Sequence, residues 1–264
     1  MFKSSPLPAG LLSVCAVLAL VCTTTAVSSS AKSPSVRATV TEKSLRPASV
    51  VERTKPLDRW AIEARGTIDG AVLDLALGAV SCAIKSGAVA DPSTLTVIDY
   101  SRPSTEKRLW VFDLHSRTLL YEELVAHGRG SGENLATQFS NLPDSHQSSL
   151  GLFRTEDTYV GRNGYSLRLR GLDEGFNDRA YERAIVMHGA RYVDPSSGER
   201  QGRLGRSWGC PAVRADVARP IIDVLAKGQF VFAYYPDREW LHSSRFLSCG
   251  HRVARPDRHE PPNG

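Results

Sequence analysis

A histidine and a cysteine are the two residues of this chain whose types and setting best suit chemistry. His188 ends a short apolar run at residues 185–187, and Cys210 lies in a glycine-containing turn at residues 207–211. A cysteine nucleophile needs a nearby base, because an unperturbed thiol is mostly protonated at neutral pH. It also needs N–H groups directed at the developing oxyanion. The pair predicts nucleophilic catalysis by Cys210 with His188 as base; the alternative is an inert, buried cysteine and a hydrogen-bonded histidine.

The order of these residues resembles a known signature. His188-Gly189 followed by Ser-x-Gly-Cys at residues 207–210 resembles the L,D-transpeptidase catalytic domain (YkuD-type), a family of cell-wall cysteine enzymes. The resemblance spans residues 92–235. Four other stretches are similar to the murein L,D-transpeptidase branch: residues 96–100, 108–113, 162–167 and 202–207.

The resemblance implies a reaction on peptidoglycan stem peptides. Cys210 would attack the bond between the L-centre of a diamino acid and a terminal D-alanine, forming a thioester and releasing D-alanine. An amine of a neighbouring stem would then complete an L,D-transpeptidase reaction, or water would complete an L,D-carboxypeptidase reaction. The family implies no metal and no organic cofactor.

Residues around the turn are candidates to shape the site. The N–H groups of Gly209 and Cys210 are the expected oxyanion donors. Ser207 is expected either to hydrogen-bond within the turn or to touch substrate, and Gly189 to allow close backbone approach beside His188.

Two positions depart from the wider family's pattern. Many members have His between Ser/Thr and Gly, where this chain has Trp208, and many carry Arg or Asn two places after Cys, where this chain has Ala212. The first departure removes a second imidazole from the site-shaping turn and leaves His188 as the sole base candidate. Arg214 is a candidate to replace the missing polar group of the second.

Substrate contacts and the third catalytic group are less defined. Arg203 and Arg206 precede the turn and are candidates to bind stem carboxylates, because a guanidinium fork matches a carboxylate. Solvated loop charges are the alternative. A backbone carbonyl, Asp194 or Tyr192 is expected to orient the His188 imidazole, and Tyr192 is also a candidate for substrate binding.

The N-terminus predicts export. Lys3 precedes an apolar run at residues 11–21 and a set of small residues, which is the layout of a secretory signal peptide spanning residues 1–26. The run is too short to favour a membrane span. Lipidation at Cys22 and an uncleaved anchor are the alternatives to cleavage after Ala26. We expect a periplasmic or cell-envelope protein with no stable membrane span after cleavage.

Charge and composition describe a basic, globular protein. The net charge of +5 suggests an acidic partner such as an anionic wall polymer. No zinc-finger spacing or RNP-like motif is present and the basic residues are scattered, so we expect no nucleic-acid partner. We expect a monomer that binds peptidoglycan stem peptides.

The cysteines also bear on the nucleophile. Of five cysteines, removal of the signal would leave Cys82, Cys210 and Cys249. An odd count in an exported protein predicts a free thiol or an intermolecular bond. A Cys82–Cys249 disulfide would leave Cys210 reactive, but we favour the interpretation that Cys82 packs unpaired within its apolar helix.

Composition divides the chain into segments. Residues 27–57 are rich in Ser, Thr, Ala, Pro and Lys and predict a flexible linker. Residues 58–91 are expected to form a helical N-terminal cover, with a helix over 69–85 indicated by apolar spacing. Residues 92–240 are the expected catalytic domain, and 241–264 are expected to be a disordered tail.

The catalytic segment reads as mainly β. Strands are predicted at residues 95–100, 108–114, 118–126, 151–155, 159–160, 165–169, 184–188 and 229–235. Asn163-Gly164 predicts a hairpin turn in which both positions tolerate positive φ. The resemblance implies the β-sandwich of the L,D-transpeptidase family, with a few flanking helices.

Three further regions are expected to be loop or helix. Residues 127–149 predict an exposed loop with His127 and His146 solvated, and residues 190–206 predict an irregular loop. A short helix is predicted over 216–227, either starting late or kinked at Pro220.

Two other functions remain open from the sequence. One is a non-catalytic wall-binding protein on the same fold, in which Cys210 is inert. The other is a papain-like wall amidase or endopeptidase, but such enzymes place Cys before His along the chain, the reverse of the order here.

Overall fold

The structure, a computed structural model, describes residues 66–88 and 91–249. The predicted signal peptide at 1–26 and the predicted linker at 27–57 lie outside the described residues. Within the described part, none of the helices is long and apolar enough to cross a membrane.

Helix α1 (Gly70–Lys85) forms where the apolar spacing predicts it. The Asp69 carboxylate caps its start by accepting from the Ala71 N–H at 2.7 Å, and Gly87, with φ 75°, follows its last turn. Its buried face belongs to the main hydrophobic core. The residues of this face recur at helical spacing: Val72, Leu73, Ala76, Leu77, Val80 and Ala83.

The described residues contain nine strands in one sheet. They are β1 (Thr94–Asp99), β2 (Leu109–Asp113), β3 (Thr118–Glu123), β4 (Val125–Ala126), β5 (Gly151–Gly161), β6 (Gly164–Gly171), β7 (Val186–Ala190), β8 (Ala212–Arg214) and β9 (Phe230–Tyr234). Their order across the sheet is β3-β2-β1-β9-β5-β6-β7-β8-β4. The β1–β9 and β7–β8 pairs are parallel and the other pairs antiparallel.

The sheet folds back on itself so that its two edges meet. The predicted strand at 118–126 is divided at Leu124 into β3 and β4, which are opposite edge strands of the sheet. Arg214 of β8, the strand next to β4, forms an ion pair with Glu123 of β3 at 2.9 Å, a second link between the two ends of the sheet. A sheet closed in this way encloses a core between its two halves. The predicted mainly-β, sandwich-type fold with a few flanking helices is confirmed.

The β5–β6 hairpin forms at the predicted place with a different turn. Gly161 pairs with Gly164, so the two central residues are Arg162 and Asn163. Of these four residues only Gly164 has a positive φ, 74°. The expectation that Asn163 and Gly164 occupy the two turn positions is wrong, because Gly164 instead begins β6 in the left-handed conformation that glycine tolerates.

Helix α2 (Pro195–Gln201) lies in the region expected to be irregular. Asp194 is its N-cap, Pro195 its first residue, and Gly202 ends it with φ 68°. A cap, a first-turn proline and a terminal glycine are ordinary helix signals. The prediction of an irregular loop over 190–206 is therefore wrong, and the signals that correct it were present in the sequence.

Helix α3 (Ala215–Leu225) starts one residue before the predicted helix and continues through Pro220. The alternative of a late start is therefore wrong. Pro220 has no N–H to donate to the carbonyl of Asp216 one turn earlier. Both residues are exposed, so water can satisfy that carbonyl.

The C-terminal region is ordered further than predicted. Helix α4 (Arg238–Ser243) is followed by described residues up to 249, and Trp240 and Phe246 are buried. Cys249 forms a disulfide with Cys82 of α1. The expected disordered tail is therefore wrong for residues 241–249, and so is the unpaired Cys82. Two buried aromatic side chains and a covalent link provide the contacts that hold this segment.

Candidate active site

His188 lies on β7 and its side chain is 5% exposed. Its Nδ1 lies 3.0 Å from the Gly189 carbonyl oxygen. A carbonyl only accepts, so in the neutral ring the proton is on Nδ1 and Nε2 carries the lone pair. Burial lowers the pKa of His188, and the hydrogen bond to Gly189 partly opposes this. The imidazole is oriented by a backbone carbonyl, one of the expected candidates, and has the neutral form that a base requires.

Cys210 is a free cysteine and is buried, with 9% of its surface exposed. The Val186 N–H donates to its Sγ at 3.5 Å, and Sγ lies 3.9 Å from the Ala184 carbonyl oxygen. Burial raises the pKa of the thiol, while the Val186 N–H and the Arg183 guanidinium act in the opposite direction. The thiol is therefore protonated at rest.

Strands β7 and β8 bring His188 next to the turn that carries Cys210. The strands are parallel, with His188 opposite Ala212, and the His188 N–H donates to the Pro211 carbonyl at 3.4 Å. Within the described residues no hydrogen bond joins the imidazole to the Cys210 sulfur. The sulfur is turned towards the Val186 amide instead.

Ser207 holds the turn that carries Cys210. Its hydroxyl donates to the Cys210 carbonyl at 2.6 Å and accepts from the Gly209 N–H at 3.1 Å. This is the first of the two roles expected for Ser207. The Gly209 N–H is thus already used within the turn, contrary to its expected role as an oxyanion donor. Nothing among the described residues accepts from the Cys210 N–H, which leaves that group available.

Residues 127–149 pack against this turn, so the expectation of an exposed loop is wrong for much of the segment. Gly128 forms a parallel bridge with Ser207, and a Cβ at Gly128 would lie 2.8 Å from the Gly209 Cα. The Ser148 hydroxyl accepts from the Gly128 N–H at 3.0 Å and donates to the Gly209 carbonyl at 3.3 Å. The segment closes over the turn through a backbone approach that requires glycine.

His127 was expected to be solvated but is fully buried. Arg108 donates to its Nδ1 at 2.8 Å, and its Nε2 lies 3.3 Å from the Gly132 carbonyl. Burial, followed by the charge of Arg108, lowers the pKa of His127 to about 4. Arg108 is buried too and donates to the Val125 carbonyl, and burial lowers its pKa to about 10. This network anchors the start of residues 127–149.

Arg183 is a site residue that sequence reasoning missed. Its guanidinium donates to the Ser140 carbonyl at 2.7 Å and to the Gln147 carbonyl at 2.8 Å. Its charge also favours the thiolate of Cys210. Nothing marked it in advance, because it is one of 33 Lys and Arg residues and belongs to no motif.

Both arginines expected to bind substrate carboxylates pair with a carboxylate of the protein itself. Arg203 Nε and Arg206 Nη1 lie 2.9 and 2.7 Å from the Glu133 carboxylate, whose side chain is 71% exposed. Arg214, the expected replacement for the missing polar group, is bound to Glu123. The closed sheet edge, rather than the catalytic turn, determines the direction of that side chain.

The remaining predicted residues divide between site and scaffold. Burial, followed by the charge of a Cys210 thiolate, raises the pKa of Tyr192 to about 12. Asp194 accepts from the first amides of α2 and is therefore a helix cap, not the group that orients His188. A Cβ on Gly189 would lie 2.8 Å from the Ala218 Cβ of α3, so the expected close approach is made to that helix.

Trp208 is 63% exposed and forms one wall of the turn. The centroid of its ring lies 4.9 Å from the centroid of the His146 ring. The Arg129 guanidinium carbon lies 5.3 Å from the same Trp208 centroid. Arg129 Nε and Nη2 lie 3.2 and 3.0 Å from His146 Nδ1. Trp208 in place of His was expected to leave the turn without a second imidazole. The fold instead places the imidazole of His146 against the Trp208 ring.

Cys210 does not line either of two surface cavities among the described residues. One of about 320 Å³ is lined by α2 and its flanks, and one of about 350 Å³ by β5 and residues 227–228. A third, of about 10 Å³, touches Gly209 and Pro211 from the core side. Across residues 66–88 and 91–249, no group of three His, Cys, Asp or Glu residues is arranged to hold a metal ion.

Several solved structures are similar to this chain at low identity. LdtMt1 in complex with imipenem is 14% identical, with 54% of this chain and 59% of that chain covered at a TM-score of 0.34. An L,D-transpeptidase from Stackebrandtia nassauensis is 15% identical, with 62% of this chain and 68% of that chain covered at a TM-score of 0.34. A variant of Pgp2, a helical cell shape determining protein from Campylobacter jejuni, is 12% identical. The match covers 61% of this chain and 55% of that chain at a TM-score of 0.39.

The sequence itself provides the decisive match. None of the curated proteins compared with this chain matches it. The family model of the L,D-transpeptidase catalytic domain matches residues 64–234, which include His188 and the whole turn around Cys210. Because that match extends over more than half of the sequence, the chain belongs to the L,D-transpeptidase catalytic domain family, whose enzymes act on peptidoglycan.

Proposed function

We propose that this chain is an exported cysteine enzyme that cleaves the bond before the terminal D-alanine of a peptidoglycan stem peptide. The observation that supports this most directly is the state of His188. Its Nδ1 is bound to the Gly189 carbonyl, so its Nε2 is free to accept a proton beside the turn that carries Cys210. Export rests on the signal peptide predicted at residues 1–26.

Acylation begins from a neutral pair. The sulfur first turns from the Val186 amide towards His188, because the resting thiol is bound to that amide. The thiol proton then passes to Nε2 while sulfur attacks the carbonyl carbon of the bond between the L-centre and D-alanine. The Cys210 N–H stabilises the oxyanion, a contribution of about 3 kcal/mol for such a donor. The imidazolium protonates the leaving amine, and D-alanine departs from a thioester.

Deacylation uses the same base in the same neutral form. An amine of a second stem attacks the thioester carbonyl and gives its proton to His188 Nε2, which then returns a proton to the departing sulfur. The product is a cross-link. When water is the acceptor, the product is a shortened stem and the enzyme acts as an L,D-carboxypeptidase.

A second candidate, a non-catalytic wall-binding protein, is favoured by one observation. Cys210 is buried and the pKa of its thiol is raised, as expected of an inert structural cysteine. Substrate access therefore requires movement of the residues packed around the turn, among which are Gln147 and Ser148. Membership of the L,D-transpeptidase family argues against the papain-like alternative.

Thiol labelling and product analysis distinguish the two candidates. The folded chain is treated with iodoacetamide and the labelled peptides are mapped by mass spectrometry. Catalysis predicts labelling of Cys210 that is lost in His188→Ala. Incubation with a stem tetrapeptide then predicts a cross-linked dimer for transfer or a tripeptide for hydrolysis. Equal labelling in both chains, with no product from the tetrapeptide, would favour the wall-binding candidate.

A further inference from the structure

We infer that Arg129, His146 and Trp208 form a binding subsite for a side-chain carboxylate of the stem peptide. We call these three residues the Trp208 subsite. The inference rests on the proposed function, because it names the part of the substrate that binds next to Cys210.

The backbone holds the Trp208 subsite against the catalytic turn. The Arg129 N–H donates to the Ser207 carbonyl at 2.8 Å, and the Gly130 N–H donates to the His146 carbonyl at 3.0 Å. Residues 128–130 therefore lie between the turn and residues 146–148. An anion bound by Arg129 would lie beside the turn that ends in Cys210.

Arg129 has guanidinium N–H groups available for a ligand, whereas Arg203 and Arg206 already bind a carboxylate. Arg203 and Arg206 are both paired with Glu133. Arg129 has no carboxylate partner among the described residues and is exposed. Its Nε and Nη2 contact His146, which leaves Nη1 without a partner in that part of the chain. A guanidinium stacked on an aromatic face keeps its donors in a fixed plane, which suits a carboxylate.

His146 and Trp208 complete the chemistry of the subsite. His146 Nδ1 accepts from Arg129, so the proton of the neutral ring is on Nε2, a second donor for an anion. The exposed Trp208 ring offers a flat apolar surface to the aliphatic part of a side chain. Two donors above an apolar face suit a carboxylate carried on a short aliphatic chain. A carboxamide presents an NH₂ group to at least one of these donors and leaves it unpaired.

The test compares two stem tetrapeptides that differ only in whether the side-chain carboxylates are free or amidated. The rate of D-alanine release gives kcat/KM for each. We expect wild type to favour the free carboxylate by about tenfold or more, the effect of one charge-assisted hydrogen bond. Arg129→Gln should lose this preference through KM, and Arg129→Lys should keep part of it. Arg162→Gln, at the exposed β5–β6 turn, is the matched control and should behave as wild type.

A binding measurement separates failure of the subsite from failure of the proposed function. Cys210→Ala, which cannot form the thioester, is titrated calorimetrically with each peptide, alone and combined with Arg129→Gln. If wild type releases no D-alanine but Cys210→Ala binds the acidic peptide through Arg129, the proposed function fails and the subsite stands. If wild type turns over both peptides equally and Arg129→Gln changes nothing, the subsite is overturned while the proposed function stands.

Discussion

At the scale of single residues, the site is a neutral pair held apart at rest. The His188 imidazole is held in its base form by one carbonyl, and the Cys210 thiol is held by the Val186 amide. Burial acts on both groups in the direction that favours the uncharged form. The two groups therefore do not form a thiolate–imidazolium pair at rest, and under the proposed function the thiol would lose its proton only as the sulfur attacks.

The neutral pair predicts the pH dependence of D-alanine release. The pKa of His188 is lowered from 6.5, so kcat/KM should rise with pH to a midpoint below that value and stay level through neutrality. The pKa of the Cys210 thiol is raised, so alkylation without the help of His188, measured in His188→Ala, should become appreciable only at alkaline pH. Denatured chain is the control, in which the same thiol should react at lower pH. A folded-state thiol already ionised below about pH 7 would contradict the neutral pair.

At the scale of elements, residues 127–149 act as part of the site rather than as an exposed connection. Their start is anchored by the buried Arg108–His127 contact. Near their end, Arg183 donates to the Gln147 carbonyl and Ser148 donates to the Gly209 carbonyl. Between these anchors the segment touches the catalytic turn through Gly128. Disturbing either anchor should therefore affect both stability and catalysis.

The buried His127 predicts a loss of stability in mild acid. Its pKa is about 4 in the folded chain against 6.5 ordinarily, so between these pH values only the unfolded chain binds its proton. The free energy of unfolding should fall as pH decreases from 6.5 to 4, by about 3 kcal/mol from this residue. Urea unfolding at several pH values measures it.

His127→Gln provides the comparison for that measurement. The variant cannot take up this proton. Its free energy of unfolding should therefore depend less steeply on pH, by a slope that corresponds to the uptake of at most one proton on unfolding. The difference between the two chains at neutral pH reports the lost contacts alone. A slope equal to that of wild type would show that His127 does not carry the effect.

A pair of glycines tests the packing of the turn. A Cβ at Gly128 would lie within 2.8 Å of the Gly209 backbone, so Gly128→Ala should cost about 1–3 kcal/mol and reduce activity. Gly78, exposed within α1, has open space around it, and Gly78→Ala should stabilise by about 1 kcal/mol. Denaturant unfolding measures both. If both substitutions changed the free energy of unfolding in the same direction, the close packing at Gly128 and the open space at Gly78 would not explain their effects.

At the scale of the whole molecule, closure of the sheet determines how the parts meet. Leu124 joins the edge strands β3 and β4, and the Arg214–Glu123 ion pair links β8 to β3, so the halves of the sheet share one core. Helix α1 covers that core, and the disulfide between Cys82 and Cys249 ties it to the segment after α4. This disulfide leaves Cys210 as the free thiol of the described residues.

The disulfide predicts a measurable share of the stability. It joins residues 167 apart, and a link of this length restricts the unfolded chain enough to contribute about 2–5 kcal/mol. The double variant Cys82→Ser, Cys249→Ser should lower the free energy of unfolding in guanidinium by this amount. Reduced wild type is the control and should match the variant. An unchanged midpoint in both would show that the bond contributes nothing.

The sequence by itself determined the local elements and indicated the candidate pair of site residues. The spacing of Val72, Leu73 and Ala76 was enough for α1, because a helix repeats within a few residues. His188 and Cys210 could be named from their motif, and the mainly-β fold followed from short strands and turns. The helix signals at Asp194 and Gly202 were also legible, although the region was predicted as irregular.

Only the tertiary structure decided which distant groups meet. The Cys82–Cys249 bond, the pairing of Arg203 and Arg206 with Glu133, and the burial of His127 all join residues far apart along the chain. Such contacts depend on how a closed sheet brings its edges and loops together, and no pattern of neighbouring residues encodes that. The packing of residues 127–149 against the turn likewise places Arg129 and His146 beside Trp208, the arrangement from which the Trp208 subsite is inferred.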